Sequence, residues 1–438
     1  MKAILIILDG LADRPWPQLD GRTPLEAAHT PNLDKLAAMA QTGLLQSLGR
    51  GHAPASEIAH FVIFGYPQED YPGRAVFEAT AEGHVLTGDE VVYRGLFSSV
   101  EQQGSGLQVM RRFMGADDDD CAELSKEIAH FEKDGVSCEF IFNTRQEGIL
   151  FLRGGASEDV TDADPYIEDL PVIKVEPLED AREPEKAAKT AACLNSYLSM
   201  AYRHLSEHRI NKERVASGLP PINFLLIKWC GRKRFLRPFE KQNGLKGASV
   251  STGLMYKGLA AEIGMNWIGT KYLPDWRDDL VNRLKLAEKA LDDGYEFIHV
   301  HTKGPDEAAH KKDPALKRDV ISSLDEGLGY LFESSLISDD NLIIITGDHG
   351  TPSGTRLLHS GEPVPLLMLG RYTYADDVKV FSEKSCVYGS LGRIEGKEMM
   401  PMVLNQLDRI KYMSAKLQPF NGIYWPKRLN EFELQDES

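Results

Sequence analysis

Three segments of this sequence that read as strands lead into side chains that bind cations. Ile343-Ile344-Ile345-Thr346-Gly347 leads straight into Asp348-His349-Gly350, Ala3 to Leu8 leads into Asp9, and Phe297 to His301 is followed by Asp306 and His310. Short apolar runs of this kind fit strands buried on both faces of a sheet, the situation of parallel strands covered by helices. The carboxyl end of such a strand is a rigid platform, and ligands bind off those ends in open α/β sheets. An Asp beside a His in that position is half of a metal site. With His359 further on, the strand ends offer enough ligands for two divalent ions, the apparatus of phosphoryl transfer.

Helix signals stand between these runs. Thr30-Pro31 opens a helix striped by Leu33, Leu36, Ala37 and Ala40, with Gly43 as its stop. Asp313-Pro314 opens another, with Leu316, Val320, Ile321, Leu324, Leu328 and Leu331 inward. Pro365 to Leu369 reads as a further strand of the parallel sheet. The middle of the chain differs. Val91 to Val100, Ser137 to Phe142 and Ile149 to Arg153 read as strands, with one helix near Cys121 to Lys133 and the acidic run Asp117 to Asp120 as a solvated helix start. A long amphipathic helix spans Pro184 to His208. The expected fold is α/β: a parallel-sheet core with helices on both faces, made of residues 1–85 and 166–438, and a small α+β domain inserted at 86–165.

A chain of 438 residues exceeds one ordinary core. Its net charge of −16, from 50 basic and 66 acidic residues, argues against a nucleic-acid or anionic-membrane partner. A local basic pocket still admits a small phosphorylated substrate. The apolar start is too short for a signal peptide and no apolar run approaches a membrane span, so a cytoplasmic location is expected. The five cysteines include no C-x-x-C pair and read as reduced, mostly structural thiols.

Taken singly, each chemical signal is weak. Asp306-x-x-x-His310 is more often an exposed pair one helical turn apart, and a lone histidine such as His359 is more often a surface or core residue. Gathered at strand ends, they point to a metal centre. Ser56, ahead of the apolar run Phe61 to Phe64, is the candidate nucleophile, because a serine at a helix start lies near free N–H groups. The plainer reading is a serine that merely caps the helix. His52 and His60 flank it.

These residues resemble the alkaline phosphatase superfamily, and more closely the archaeal-type cofactor-independent phosphoglycerate mutases. The similarity runs over most of the chain. It includes Leu8-Asp9-Gly10, Thr23-Pro24-Leu25-Glu26-Ala27-Ala28, Ala59-His60 with Phe64-Gly65-Tyr66, Gly73-Arg74, His299-Val300-His301-Thr302-Lys303-Gly304-Pro305-Asp306, Gly347-Asp348-His349 and His359-Ser360. The resemblance implies an alkaline-phosphatase-like core. It implies that Asp9, Ser56, Asp348 and His349 hold one ion and that Asp306, His310 and His359 hold the other, both being manganese or zinc. On that scheme Asp306→Asn lowers metal occupancy at one ion only. Ser56 would carry the phosphoryl group as phosphoserine while 2- and 3-phosphoglycerate interconvert. Arg74, Arg94, Lys228, Arg232 and Lys303 are the candidates to grip the substrate's carboxylate and phosphate, with the inserted domain as a lid.

The sequence also departs from that family. Ala55-Ser56-Glu57 stands where Gly-Ser-Asp is usual, Gln146-Glu147 where His-Arg is usual, and Lys228 where relatives carry an arginine. One arginine is missing around Arg111-Arg112-Phe113. Lysine is the poorer bidentate clamp for a carboxylate. Metal and nucleophile positions are intact while substrate-facing ones have drifted. A phosphohydrolase or phosphomutase of the same superfamily, acting on another small phospho- or phosphono-compound, is therefore the alternative. A non-catalytic binding protein that keeps the fold is the third reading.

Overall fold

The computed structural model describes residues 1–434. Its strands, in chain order, are β1 (Lys2–Leu8), β2 (Gln41–Gln46), β3 (Val91–Gln103), β4 (Gly106–Arg111), β5 (His130–Lys133), β6 (Val136–Thr144), β7 (Glu147–Arg153), β8 (Phe224–Arg232), β9 (Gly247–Ser251), β10 (Asn266–Gly269), β11 (Phe297–Thr302), β12 (Asn341–Thr346), β13 (Val364–Leu369) and β14 (Gly392–Glu395). They divide between two compact units. One comprises Met1–Tyr71 and the chain from Leu236 onward; the other is Pro72–Phe235.

The first unit is built on an eight-stranded sheet in the order β10-β9-β11-β1-β12-β13-β2-β14. β1 lies between β11 and β12 and runs parallel to both, with Leu8 opposite Thr302 and Ile7 opposite Thr346. Adjacent strands stand about 4.8 Å apart. The residues that follow β11, β1 and β12 are thus forced together, and the ligand candidates leave the sheet at one place. Alternation along the strands separates the two faces. Ile4, Ile6, Leu8, Ile298 and Val300 pack with Leu280 and Leu284 of the helix Trp276–Asp292 and with Val320, Ile321 and Leu324 of the helix Pro314–Leu328. The alternate residues His299 and His301 face the helix Ser56–Ile63 and Tyr256 instead.

Two expectations for this unit are corrected. β13 is not parallel: it runs antiparallel to both β12 and β2. The chain between Gly347 and Pro363 contains no helix, and a parallel return needs a long crossover. Gly43 does not end the Pro31–Ala37 helix but lies within β2, opposite Leu366. A Cβ there would stand 2.6 Å from the Gly392 carbonyl oxygen of β14, so close strand approach explains this glycine. The Asp313 cap is as expected, its carboxylate accepting from the N–H groups of Ala315 and Leu316.

The second unit carries an antiparallel sheet, β4-β3-β7-β6-β5, with β8 also paired to β3. It is larger than the expected 86–165 insertion. The helix Arg74–Ala81 packs Ala75, Val76 and Ala79 on Val92, Ile149 and Phe151. The helix Pro184–Glu207 buries Ala187, Leu194, Tyr197 and Leu198 in the sheet's core. Both elements, and β8, therefore belong to this unit. Asp117 caps the helix Asp118–Lys126 as its acidic run suggests, but that helix stops short of Lys133, because His130–Lys133 pairs with β6. No helix among the described residues is long and apolar enough to cross a membrane.

Candidate metal centre

Ser56 is the first residue of its helix, and Ala55 is the N-cap residue. Its hydroxyl therefore does not cap the helix. Oγ lies 3.1 Å from His349 Nε2 and 3.5 Å from Asp9 Oδ2. One turn on, His60 donates from Nδ1 to the Ser56 carbonyl at 2.7 Å, which leaves its buried Nε2 without a hydrogen-bond partner. His52 is exposed.

Three buried carboxylates, Asp9, Asp306 and Asp348, belong to the same cluster. Asp9 Oδ2 lies 2.9 Å from His301 Nε2, 3.0 Å from the Tyr256 hydroxyl and 3.3 Å from Lys303 Nζ. Asp348 Oδ1 accepts from the N–H groups of Gly10 and His349. Asp306 Oδ1 accepts from Thr351 Oγ1 at 2.8 Å and lies 3.3 Å from His310 Nε2 and 3.6 Å from His359 Nε2. Lys303 Nζ is 3.2 Å from Asp306 Oδ2, so one ammonium stands between two of the carboxylates. His359 donates from Nδ1 to the Pro54 carbonyl and stacks on His349 with ring centroids 3.7 Å apart.

The electrostatics of this cluster are those of a cation site. Burial pushes Asp9 and Asp306 up, but Lys303 and the neighbouring histidines outweigh it and hold both well below the usual carboxylate range. Asp348 is driven well above that range by burial and by the Asp9 charge. Burial, with His359, lowers His349 to about 3, and burial, with His301, lowers His60 to about 3. For His359 burial is outweighed by the Asp306 carboxylate, which raises it. Acidic side chains packed this closely need positive charge, and most of the imidazoles beside them are neutral and offer lone pairs. Asp9 Oδ1 and Asp348 Oδ2 are buried without hydrogen-bond donors. Those two orphaned oxygens and the mixed oxygen and nitrogen donor set fit divalent ions.

Two ligand groups are close enough to hold an ion. In each, the donor atoms lie within 4.8 Å of one another: Asp306, His310 and His359 in one, and Asp9, Asp306 and His349 in the other. The first is the trio read from the sequence. In the second, Asp306 takes part as well, while Asp348 Oδ2 and Ser56 Oγ border it at 3.3 and 3.1 Å from His349 Nε2. Asp306 is thus shared, which a scheme of two separate sets did not anticipate. His301, Tyr256 and Thr351 were missed. His301 could have been found from strand alternation, since it shares a face with Ser56; Tyr256 and Thr351 carry no local signal.

The candidate substrate residues have separate fates. Lys303 is in the centre. Arg94 is buried among Glu78, Glu82 and Glu147, at 3.2, 2.7 and 2.9 Å, and Arg232 donates to the carbonyls of Gly88, Asp89 and Ala156. Those partners give both arginines a structural task in the second unit, which the sequence reading did not foresee. Arg74 stacks on Trp229 at 3.6 Å and pairs with Glu78. Lys228 Nζ is 3.3 Å from Asp164 and 4.3 Å from the centre of the Trp229 ring, and burial lowers its pKa despite Asp164. Trp229 itself sits at φ 60°, where β8 bulges against β3.

Comparison with known proteins gives a consistent picture. A family model described as the Metalloenzyme superfamily matches residues 1–406. The 2,3-bisphosphoglycerate-independent phosphoglycerate mutase 2 of Methanocaldococcus jannaschii is 37% identical over 418 residues, 93% of this chain and 94% of that protein. Among solved structures, a Pyrococcus horikoshii protein has a TM-score of 0.74 at 30% identity, covering 94% of this chain and 99% of its own. The cofactor-independent phosphoglycerate mutase of Thermoplasma acidophilum has a TM-score of 0.60 at 29% identity, covering 93% and 100%.

Proposed function

From the membership of this chain in the Metalloenzyme superfamily, and within it in the 2,3-bisphosphoglycerate-independent phosphoglycerate mutases, we propose that it interconverts 2- and 3-phosphoglycerate through a phosphoserine at Ser56. The observation that carries this reading is the meeting of the Ser56 hydroxyl with Asp9 and His349, beside Asp348 and the Asp306, His310 and His359 trio. Asp9, Ser56, Asp348 and His349, with Asp306 shared, would hold one divalent ion, and Asp306, His310 and His359 the other. Manganese and zinc both suit these donors. Bound there, such ions lower the pKa of a coordinated hydroxyl and neutralise charge developing on a phosphoryl group.

The chain's own groups account for the remaining chemistry. Ser56 Oγ forms a bond to phosphorus as the bond to one glycerate oxygen breaks, and the serine gives up a proton while that oxygen gains one. The second half reverses this on the other hydroxyl, so protons balance and no water is consumed. A phosphoryl group on Ser56 would sit at the positive end of its helix. Lys303, beside Asp9 and Asp306, supplies fixed positive charge for the transferred group. Arg74 and Lys228 remain candidates for binding the substrate's acid groups. A cytoplasmic location belongs to the same reading.

The second reading, a phosphohydrolase or phosphomutase acting on another small phospho- or phosphono-compound, is favoured by one observation. Lys228 is bound to Asp164, where a bidentate clamp is expected in relatives. One assay separates the two. Purified protein with manganese should turn 3-phosphoglycerate into 2-phosphoglycerate without added bisphosphoglycerate. Phosphate release from an aryl phosphate with no such conversion would favour the second reading, and the absence of both activities would defeat both.

A further inference from the structure

Thr351 lies fully buried between the two ligand groups, and nothing in the reaction scheme uses it. Its Oγ1 is 2.8 Å from Asp306 Oδ1 and 3.1 Å from His349 Nδ1. A hydroxyl has one proton, and a carboxylate oxygen only accepts. The Thr351 proton therefore goes to Asp306, and Oγ1 can meet His349 only by accepting from it. The neutral ring of His349 then carries its single proton on Nδ1. Its Nε2 is left with a lone pair, on the side of Asp9 Oδ1 at 3.3 Å and Ser56 Oγ at 3.1 Å.

We propose that Thr351 is a positioning residue that fixes the His349 tautomer and the Asp306 carboxylate together, and so couples the two proposed ion sites. This deepens the metal reading above and rests on it. One hydroxyl orients a ligand found in the second group only and the ligand that both groups share. Ligating histidines depend on such an outer partner for ring orientation and basicity.

Thr351 is itself held on both sides. Its N–H donates to the Ala12 carbonyl at 3.0 Å, and its carbonyl accepts from Lys317 Nζ at 2.8 Å. Lys317 is fully buried and also donates to the Ala12 carbonyl at 3.0 Å and to Asp13 Oδ2 at 3.1 Å. The loop after β1 and the loop after β12 are thus stapled from the helix Pro314–Leu328. Gly10, at φ +66°, closes the same arrangement: a Cβ there would stand 2.5 Å from Thr351 Oγ1 and 2.9 Å from Asp306 Cβ. Thr351 accordingly has little freedom to turn its hydroxyl elsewhere.

The test compares wild type with Thr351→Val, Thr351→Ala and Thr351→Ser, each shown to be folded by circular dichroism. Manganese binding is measured by calorimetry on metal-stripped protein. Loss of the hydroxyl should weaken manganese binding by roughly 10–100-fold, and serine should restore most of it. Separately, the ring nitrogens of His349 are observed by 15N NMR in metal-free protein, with the signal assigned by its absence in His349→Gln. Wild type and Thr351→Ser should show the Nδ1–H form, and Thr351→Val or Thr351→Ala a mixture. Unchanged manganese affinity in both hydroxyl-free variants, or an Nε2–H ring in wild type, would overturn the inference. If wild type binds no divalent ion the metal reading fails by itself, and the NMR result still decides the Thr351–His349 pairing.

Discussion

Replacing Lys317 by methionine tests the staple beneath the metal centre. The side chains are similar in length, so the change removes an ammonium while keeping most of the packing. Lys317 and Asp13 are both buried, and three acceptors converge on Nζ at 2.8 to 3.1 Å. Breaking a buried ion pair by removing one partner costs about 3–5 kcal/mol, because the other charge is left behind. Asp13 is not wholly stranded. It still accepts from the N–H groups of Arg14 and Ser353 and from the Trp16 indole. The Ala12 carbonyl likewise keeps the Thr351 N–H. That places the expected loss near the lower end, about 3 kcal/mol, with Thr351 O losing its ammonium donor. For a unit of this size the melting temperature should fall by roughly 5 °C in differential scanning calorimetry. Adding Asp13→Asn should recover part of the loss, since the two positions share one interaction. A Lys317→Met protein within about 1 kcal/mol of wild type would refute the reasoning, because a bond network this buried cannot be both intact and that weak.

Other outcomes follow from the same geometry. Ser56→Ala should abolish phosphoryl transfer, as read by phosphoserine formation with labelled substrate, while metal content changes far less; turnover in that variant would remove Ser56 from its role. Asp306→Asn should weaken manganese binding at both sites and His310→Ala at one, by calorimetry, because Asp306 belongs to both ligand groups. Chelation should lower the melting temperature, since an ion at about 100 times its dissociation constant stabilises the folded state by about 2.7 kcal/mol, and manganese should restore it. Burial raises Glu383 from 4.5 to about 7. Below the unfolded value its contribution to stability is full, and it is lost as pH rises towards 7, a swing of about 3 kcal/mol. Glu383→Gln should remove that slope from the pH dependence of unfolding; parallel curves for the two proteins would count against the assignment.

What the sequence by itself determined was local. Ala3 to Leu8 and Leu342 to Ile345 are strands because unbroken apolar runs must be covered on both faces, and Phe297 to Thr302 alternates apolar residues with histidines as a strand does. Asp313 and Asp117 start helices because a carboxylate satisfies free N–H groups a few residues on. Asp9, Asp348 and His349 were legible since each stands just after a strand end, and Asp306 and His310 as a pair one helical turn apart in the segment that follows β11. Tertiary structure decided everything that depends on partners distant in the chain. It turned β13 antiparallel, placed Gly43 against Gly392, and drew both β8 and the Arg74–Ala81 helix onto the second sheet, so that the second unit spans Pro72–Phe235. It gave Arg94 to three glutamates, made Asp306 common to both ligand groups, and set Thr351 and Lys317 behind them. Caps and strand runs are written in neighbouring residues, whereas a buried charge takes its meaning from whichever groups the fold brings within about 3 Å of it.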